Sequence, residues 1–306
     1  MSGHANGHAH EHQHAHEPTH AHGHGHTHEH GHSHTHTDPA TARIVLALGP
    51  ESEQMPDLDI PAARPGRDLA DLVEEQARRP GGPDSAGEGA GVVVVVPMTF
   101  GRAPAMVADC SRTLRDVRGS TDRARLAPGS AGSMGPVALA APLGDATMLV
   151  TRLRAVIRRH GAVCSALLVS RAIDPFADAE LYRLARLARQ YGQPGLVEVA
   201  FHGGDEPDPD LAEGLERVRA LGGRRPVLVS ATLAPAPVTG LELPGEGEHL
   251  FGPAVLRSVI DTRVREAVHR LDHGDDGIDA ALDAEDGHGY AHSHVAADGS
   301  VYTHSH

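Results

Sequence analysis

Five consecutive valines, Val92 to Val96, stand between Gly91 and Pro97 with no polar residue among them. β-branched residues favour extended backbone, and a strand with no polar side must be covered on both faces. Such a strand belongs inside a parallel sheet with helices above and below it, which sets the fold class of the surrounding chain.

The flanking pattern agrees. Ile44 to Leu48 reads as a short buried strand closed by Gly49-Pro50, and residues 51–66 and 79–91 read as loop around a helix from Asp68 to Arg79. Pro104 stands where a first helical turn begins, and Val107, Cys110, Leu114 and Val117 follow at helical spacing. Val137 to Pro142 is the next strand, and Asp145 caps a helix with Leu149, Leu153, Val156 and Ile157 inward, ended by Gly161.

The alternation then restarts. Ser165 to Val169 is a strand, and Asp174-Pro175 opens a helix with Leu181, Leu184 and Ala188 inward and Arg183, Arg186 and Arg189 outward. Strands follow at 196–201, 227–230 and 250–251, with helices from Leu211 to Gly222 and from Pro253 to Leu271. The expected fold is α/β, built as two similar halves with parallel sheets flanked by helices. The expected divisions are a tail over 1–40, half one over 41–160, half two over 161–271 and an acidic, His-rich tail over 272–306, with both tails disordered. In open sheets of this kind ligands bind beyond the carboxyl ends of the strands. The loops 97–104, 142–145, 170–175, 202–208 and 231–240 are therefore the candidate crevice.

The first 36 residues lack any apolar periodicity and carry 15 of the 25 histidines, mostly at every second position. Neutral imidazole is a metal ligand at pH 7, and imidazole suits borderline cations such as Co(II), Ni(II) and Zn(II). His8, His10, His12, His14, His16, His20, His22, His24, His26, His28, His30, His32, His34 and His36 are the candidate metal ligands of this run. Seven carboxylates between Asp272 and Asp286, followed by His288, His292, His294, His304 and His306, suggest a second, weaker metal-collecting segment.

The formal charge of −14 argues against nucleic acid as a partner. Cys110 and Cys164 are the only cysteines, and they form no Cys-x-x-Cys, so a disulfide scaffold, a thiolate zinc site and an iron–sulfur cluster are not expected. The longest apolar stretch, Val92 to Met98, is too short to span a membrane, and no secretory pattern opens the sequence. The expectation is a cytoplasmic protein with no membrane partner.

Ala166-Leu167-Leu168-Val169-Ser170-Arg171-Ala172-Ile173-Asp174-Pro175, with Leu181 and Leu184 to Leu187, resembles the opening strand and helix of a class II tetrapyrrole chelatase half. Val197 to Phe201, followed by Glu206-Pro207 and Leu211 to Gly223, is similar to that family's second strand and helix, and Phe251-Gly252-Pro253 through Ala267 to its closing strand and helix. Val96 to Arg102 and Ala140 to Gly144 resemble the third and fourth strand ends of the first half. Within that family the resemblance is to the sirohydrochlorin cobaltochelatase group, over roughly residues 43–270. It implies insertion or handling of Co(II), or Ni or Fe, with a tetrapyrrole such as sirohydrochlorin as partner, in cobalamin biosynthesis. The alternative is a non-catalytic transition-metal store or chaperone on the same fold.

The family's metal-binding histidines follow the first and third strands of a half. The matched positions here are Gly49-Pro50, Ser170-Arg171, residues 99–104 and residues 234–237, all without histidine. His202 is the one core histidine at a candidate crevice loop, and His202 with Glu206 is the expected ligand or base pair. Arg102 and Arg171, at strand ends, are the expected partners of substrate carboxylates.

Overall fold

The computed structural model describes residues 37–79, 91–125, 134–161, 163–192, 195–204, 207–284, 292–295 and 301–304. The histidine run from His8 to His36, and Glu206 with its neighbour Asp205, lie outside the described residues.

Two parallel sheets organise the chain. The first takes β1 (Arg43–Ala47), β2 (Ala62–Ala63), β3 (Val93–Pro97) and β4 (Val137–Leu139) in the order β2-β1-β3-β4. The second takes β5 (Ser165–Arg171), β6 (Leu196–His202) and β7 (Pro226–Ser230) in the order β6-β5-β7. The helices are α1 (Arg67–Arg78), α2 (Pro104–Arg125), α3 (Ala146–Arg159), α4 (Pro175–Gly192), α5 (Leu211–Ala220) and α6 (Pro253–Asp272).

The valine strand behaves as its composition requires, since Val93 to Val96 are all 0% exposed. Alternation sends them to two different cores. Val93 and Val95 pack with Leu69 and Val73 of α1 and Cys110 and Leu114 of α2. Val94 and Val96 face the opposite way, into a core shared with the second sheet. Each valine removed from water in this way contributes about 1.5 kcal/mol or more. Leu167, Val169 and Leu228 face outward onto Leu215 and Val218 of α5, while Leu168, Val199 and Val229 join the shared core.

That shared core is built by an exchange of helices. α3 follows the first sheet in sequence but packs on β7 and α4, and α6 follows the second sheet but packs on β3 and β4. Three arginines of α6 tie it to carbonyls of the first half. Arg263 donates to Leu143 at 3.2 Å, Arg270 to Leu139 at 3.0 Å and Arg257 to Leu58. The division expected at residue 161 therefore separates the strands but not the helices.

Caps set the ends as anticipated. Asp145 accepts from Met148 N at 2.7 Å, and Asp174 from Phe176 N and Ala177 N at 2.9 Å. Asp210, not expected as a cap, forms a reciprocal capping box with Glu213.

Three expectations are corrected. Residues 51–66 hold the short strand β2, whose Ala62 and Ala63 lie beside Leu46 and Ala47. Leu250 and Phe251 are buried but join neither sheet; the Phe251 ring instead stacks on Phe100 at 5.6 Å and carries Arg152 above it at 4.5 Å. Ring contacts satisfy the burial that a strand would have provided.

The chain beyond α6, expected to be a disordered tail, continues as structure. Ile278 is fully buried, Leu139 N donates to Asp276 O at 2.8 Å, and Ser111 Oγ donates to Ile278 O at 2.5 Å. This segment closes the open edge of β4. Further on, β8 (His292–Val295) and β9 (Val301–His304) pair antiparallel. Among the described residues no helix is long and apolar enough to cross a membrane.

Candidate functional site

Strand order places the cleft. In the first sheet the chain steps from β1 to β2 on one side and then returns to β3 on the other. Loops leaving β1 and β3 therefore diverge, opening a crevice at their carboxyl ends. A cleft of about 450 Å³ lies there. Leu48, Gly49 and Pro50 enter it from β1, Ala103 to Met106 from the start of α2, and Arg171, Ile173 and Asp174 from the end of β5. The cleft thus receives the ends of β1 and β5, each paired on both sides in its own sheet.

Gly49 is required by close approach. A Cβ added there would stand 2.9 Å from the Met106 side chain. A larger residue, histidine included, is excluded at this turn unless Met106 moves.

At the mouth, Glu53 bridges two arginines. It pairs with Arg64 through one carboxylate oxygen and with Arg171 Nη1 through the other, at 2.9 Å. Asp109 and Asp174 also line the cleft. Asp109 pairs with Arg112 at 2.6 Å, and Asp174 is engaged in capping α4.

Beneath this rim lies a buried polar cluster. Glu51 is 1% exposed and accepts from Thr99 Oγ1 and from Phe100 N at 3.1 Å. Its second oxygen, Oε1, has no hydrogen-bond partner. Burial pushes the Glu51 carboxyl up from its ordinary value, while Arg102 and the hydrogen bonds pull the other way. Arg102, 2% exposed, crosses to the second half and donates to Ala177 O at 3.1 Å, to Ser170 Oγ at 2.5 Å and to Asp178 Oδ1 at 3.2 Å. Asp178 is likewise raised, first by burial.

Of the two arginines expected to meet substrate, Arg171 stands at the cleft and Arg102 is directed into the junction of the halves. Arg102 also borders a second cleft of about 380 Å³, between Phe100, Asp145 at the start of α3, Glu180 of α4 and Arg263 of α6.

His202 ends β6 and lies in register with Arg171. It is half-buried, and burial, then the Arg171 charge, holds its pKa below the ordinary imidazole value, so the neutral ring is favoured. It does not line the 450 Å³ cleft. Among the described residues no group of three or more His, Cys, Asp or Glu side chains is arranged to hold a metal ion. His160 caps α3 and lies 3.3 Å from Glu248. Both cysteines are buried thiols, with Cys110 pushed up to about 12, chiefly by burial.

Glu51, Glu53 and Arg64 were not among the residues expected from sequence. Glu51 and Glu53 lie in the turn after β1 and Arg64 follows β2, and a signal was present: charged residues directly past a strand whose last three residues are buried.

No protein-family model, no curated protein and no solved structure matches this chain.

Proposed function

We propose that the chain is a sirohydrochlorin cobaltochelatase-like protein that handles Co(II), or Ni or Fe, for a tetrapyrrole. One observation carries this reading: the cleft at the switch point of β1 and β3 also receives Arg171 from the matching strand of the second sheet. Both sheets place their first strand between the second and the third, as two chelatase-like halves would. Sirohydrochlorin carries many carboxylates, and the arginines at the rim suit them.

The division of labour follows from where the donors stand. The histidine run supplies imidazole in number for the metal, which is the substrate, and the cleft supplies apolar lining and cations for the macrocycle. His202, beside Arg171 in register and with its neutral ring favoured, is the core imidazole this reading assigns to accept a proton.

The second reading is a transition-metal store or chaperone on this fold. It is favoured by one observation: among the described residues there is no group of three or more metal-ligating side chains.

The test is to mix the full chain with sirohydrochlorin and Co(II) and to follow the absorption of the metallated macrocycle against a buffer control. The chelatase reading expects acceleration by the protein. Cobalt bound in several equivalents with no acceleration supports the store.

A further inference from the structure

We propose that Glu53 is a built-in placeholder for the acid group of a ligand. A carboxylate- or phosphate-bearing molecule entering the cleft displaces it and takes over both Arg64 and Arg171. This inference rests on reading the cleft as the ligand site.

The three residues come from separate parts of the chain. Glu53 is in the turn after β1, Arg64 follows β2, and Arg171 ends β5 in the other sheet. One carboxylate spans both guanidiniums, with one oxygen toward each. Two guanidiniums held a carboxylate's width apart form a receptor for any planar or tetrahedral oxyanion.

The surroundings keep that receptor in place. Gly203 has a φ of +59°, and a Cβ there would stand 2.8 Å from Arg171 Nη1, so the glycine leaves room for the guanidinium. The cleft walls next to the pair include Leu48, Met106 and Ile173, which suit the apolar body of a ligand whose acid group sits at the rim. The other carboxylates of the cleft, Asp109 and Asp174, already have partners.

Glu53 is held far less firmly than Glu51 in the same turn. Glu51, two residues earlier, is fully enclosed and fastened by Thr99 and Phe100. The Glu53 side chain is 31% exposed, and its partners Arg64 and Arg171 are 67% and 37% exposed. Ion pairs at such exposure are weak and exchange readily. Displaced, Glu53 turns into water without leaving a buried charge behind.

The experiment is isothermal titration of the full chain at pH 8 with tricarballylate and separately with inorganic phosphate. Glu53→Gln removes the competing carboxylate, and the expected result is roughly tenfold tighter binding than in the natural chain. Arg171→Ala is expected to weaken binding by tenfold or more. Tightening with tricarballylate alone assigns a carboxylate ligand, and tightening with phosphate alone assigns a phosphate. Glu53→Gln binding both probes no tighter than the natural chain overturns the proposal, as does undiminished binding by Arg171→Ala. Neither probe contains a macrocycle or a metal, so failure of cobalt insertion leaves this result standing, and failure here leaves the insertion assay readable. Unchanged circular dichroism of the variants confirms that they fold.

Discussion

Arg102 Nη2 and Asp178 Oδ1 lie 3.2 Å apart across the junction of the two sheets, and the arginine side chain is 1% exposed. One guanidinium from the loop after β3 thereby fastens the end of β5 and the first turn of α4. Removing one partner of a buried pair leaves the other uncompensated, at a cost of about 3–5 kcal/mol. Arg102→Ala is expected to lower the urea midpoint accordingly. Combining Arg102→Met with Glu51→Gln should recover part of the loss, because the second change removes a stranded carboxylate. Effects of Glu51→Gln and Arg102→Met that simply add in the double variant would show that Glu51 and Arg102 act independently.

Glu51 makes stability depend on pH with a definite sign. Its folded carboxyl titrates above the ordinary value of 4.5, so the folded chain keeps a proton that the unfolded chain has released. The resulting stabilisation is complete below 4.5 and is lost as pH rises through the raised value. Gln at this position is neutral at every pH. Glu51→Gln should gain stability relative to the natural chain as pH rises, with the difference levelling off once Glu51 ionises. Parallel urea midpoints for the two proteins across the range would contradict the assignment.

Gly277 holds the returning C-terminal segment against β4. Its φ is +72°, and a Cβ would stand 2.3 Å from Leu139 O. Gly277→Ala combines a left-handed backbone with a backbone clash, and the expected loss exceeds about 1 kcal/mol. Hydrogen exchange should locate the effect, with lost protection at Leu139 N, which donates to Asp276 O. Retained protection there would mean that the segment is not anchored through this turn.

Much of this architecture was legible in the residues. Val92 to Val96 announce a doubly covered strand by composition alone, and Asp145 and Asp174 stand at helix starts whose side chains do cap. The helix exchange was not legible. Apolar spacing says that α3 and α6 have a buried face but not which sheet receives it. Arg102 misled for a related reason. Its partners lie 68 and 76 residues away, so the sequence offered only an arginine at a strand end, where it resembles a substrate ligand. The Glu53 bridge was hidden in the same way, because Arg171 belongs to the other sheet.

Metal held by the histidine run should follow imidazole protonation. Bound cobalt is expected to be released as pH falls below about 6.5, and a chain lacking residues 1–36 should lose most of its stoichiometry at pH 7.5. Metal content after dialysis at stepped pH reads both effects. Full retention at pH 5 would assign the metal to a different ligand set.

The most direct measurement is transfer from the loaded protein. The full chain is charged with Co(II), freed of unbound metal by gel filtration, and given sirohydrochlorin, and the macrocycle spectrum is followed with the cobalt remaining on the protein. The account predicts metallated sirohydrochlorin forming as protein-bound cobalt falls by the same amount, faster than from an equal concentration of free Co(II). Cobalt that stays on the protein while the spectrum remains that of the metal-free macrocycle would contradict it.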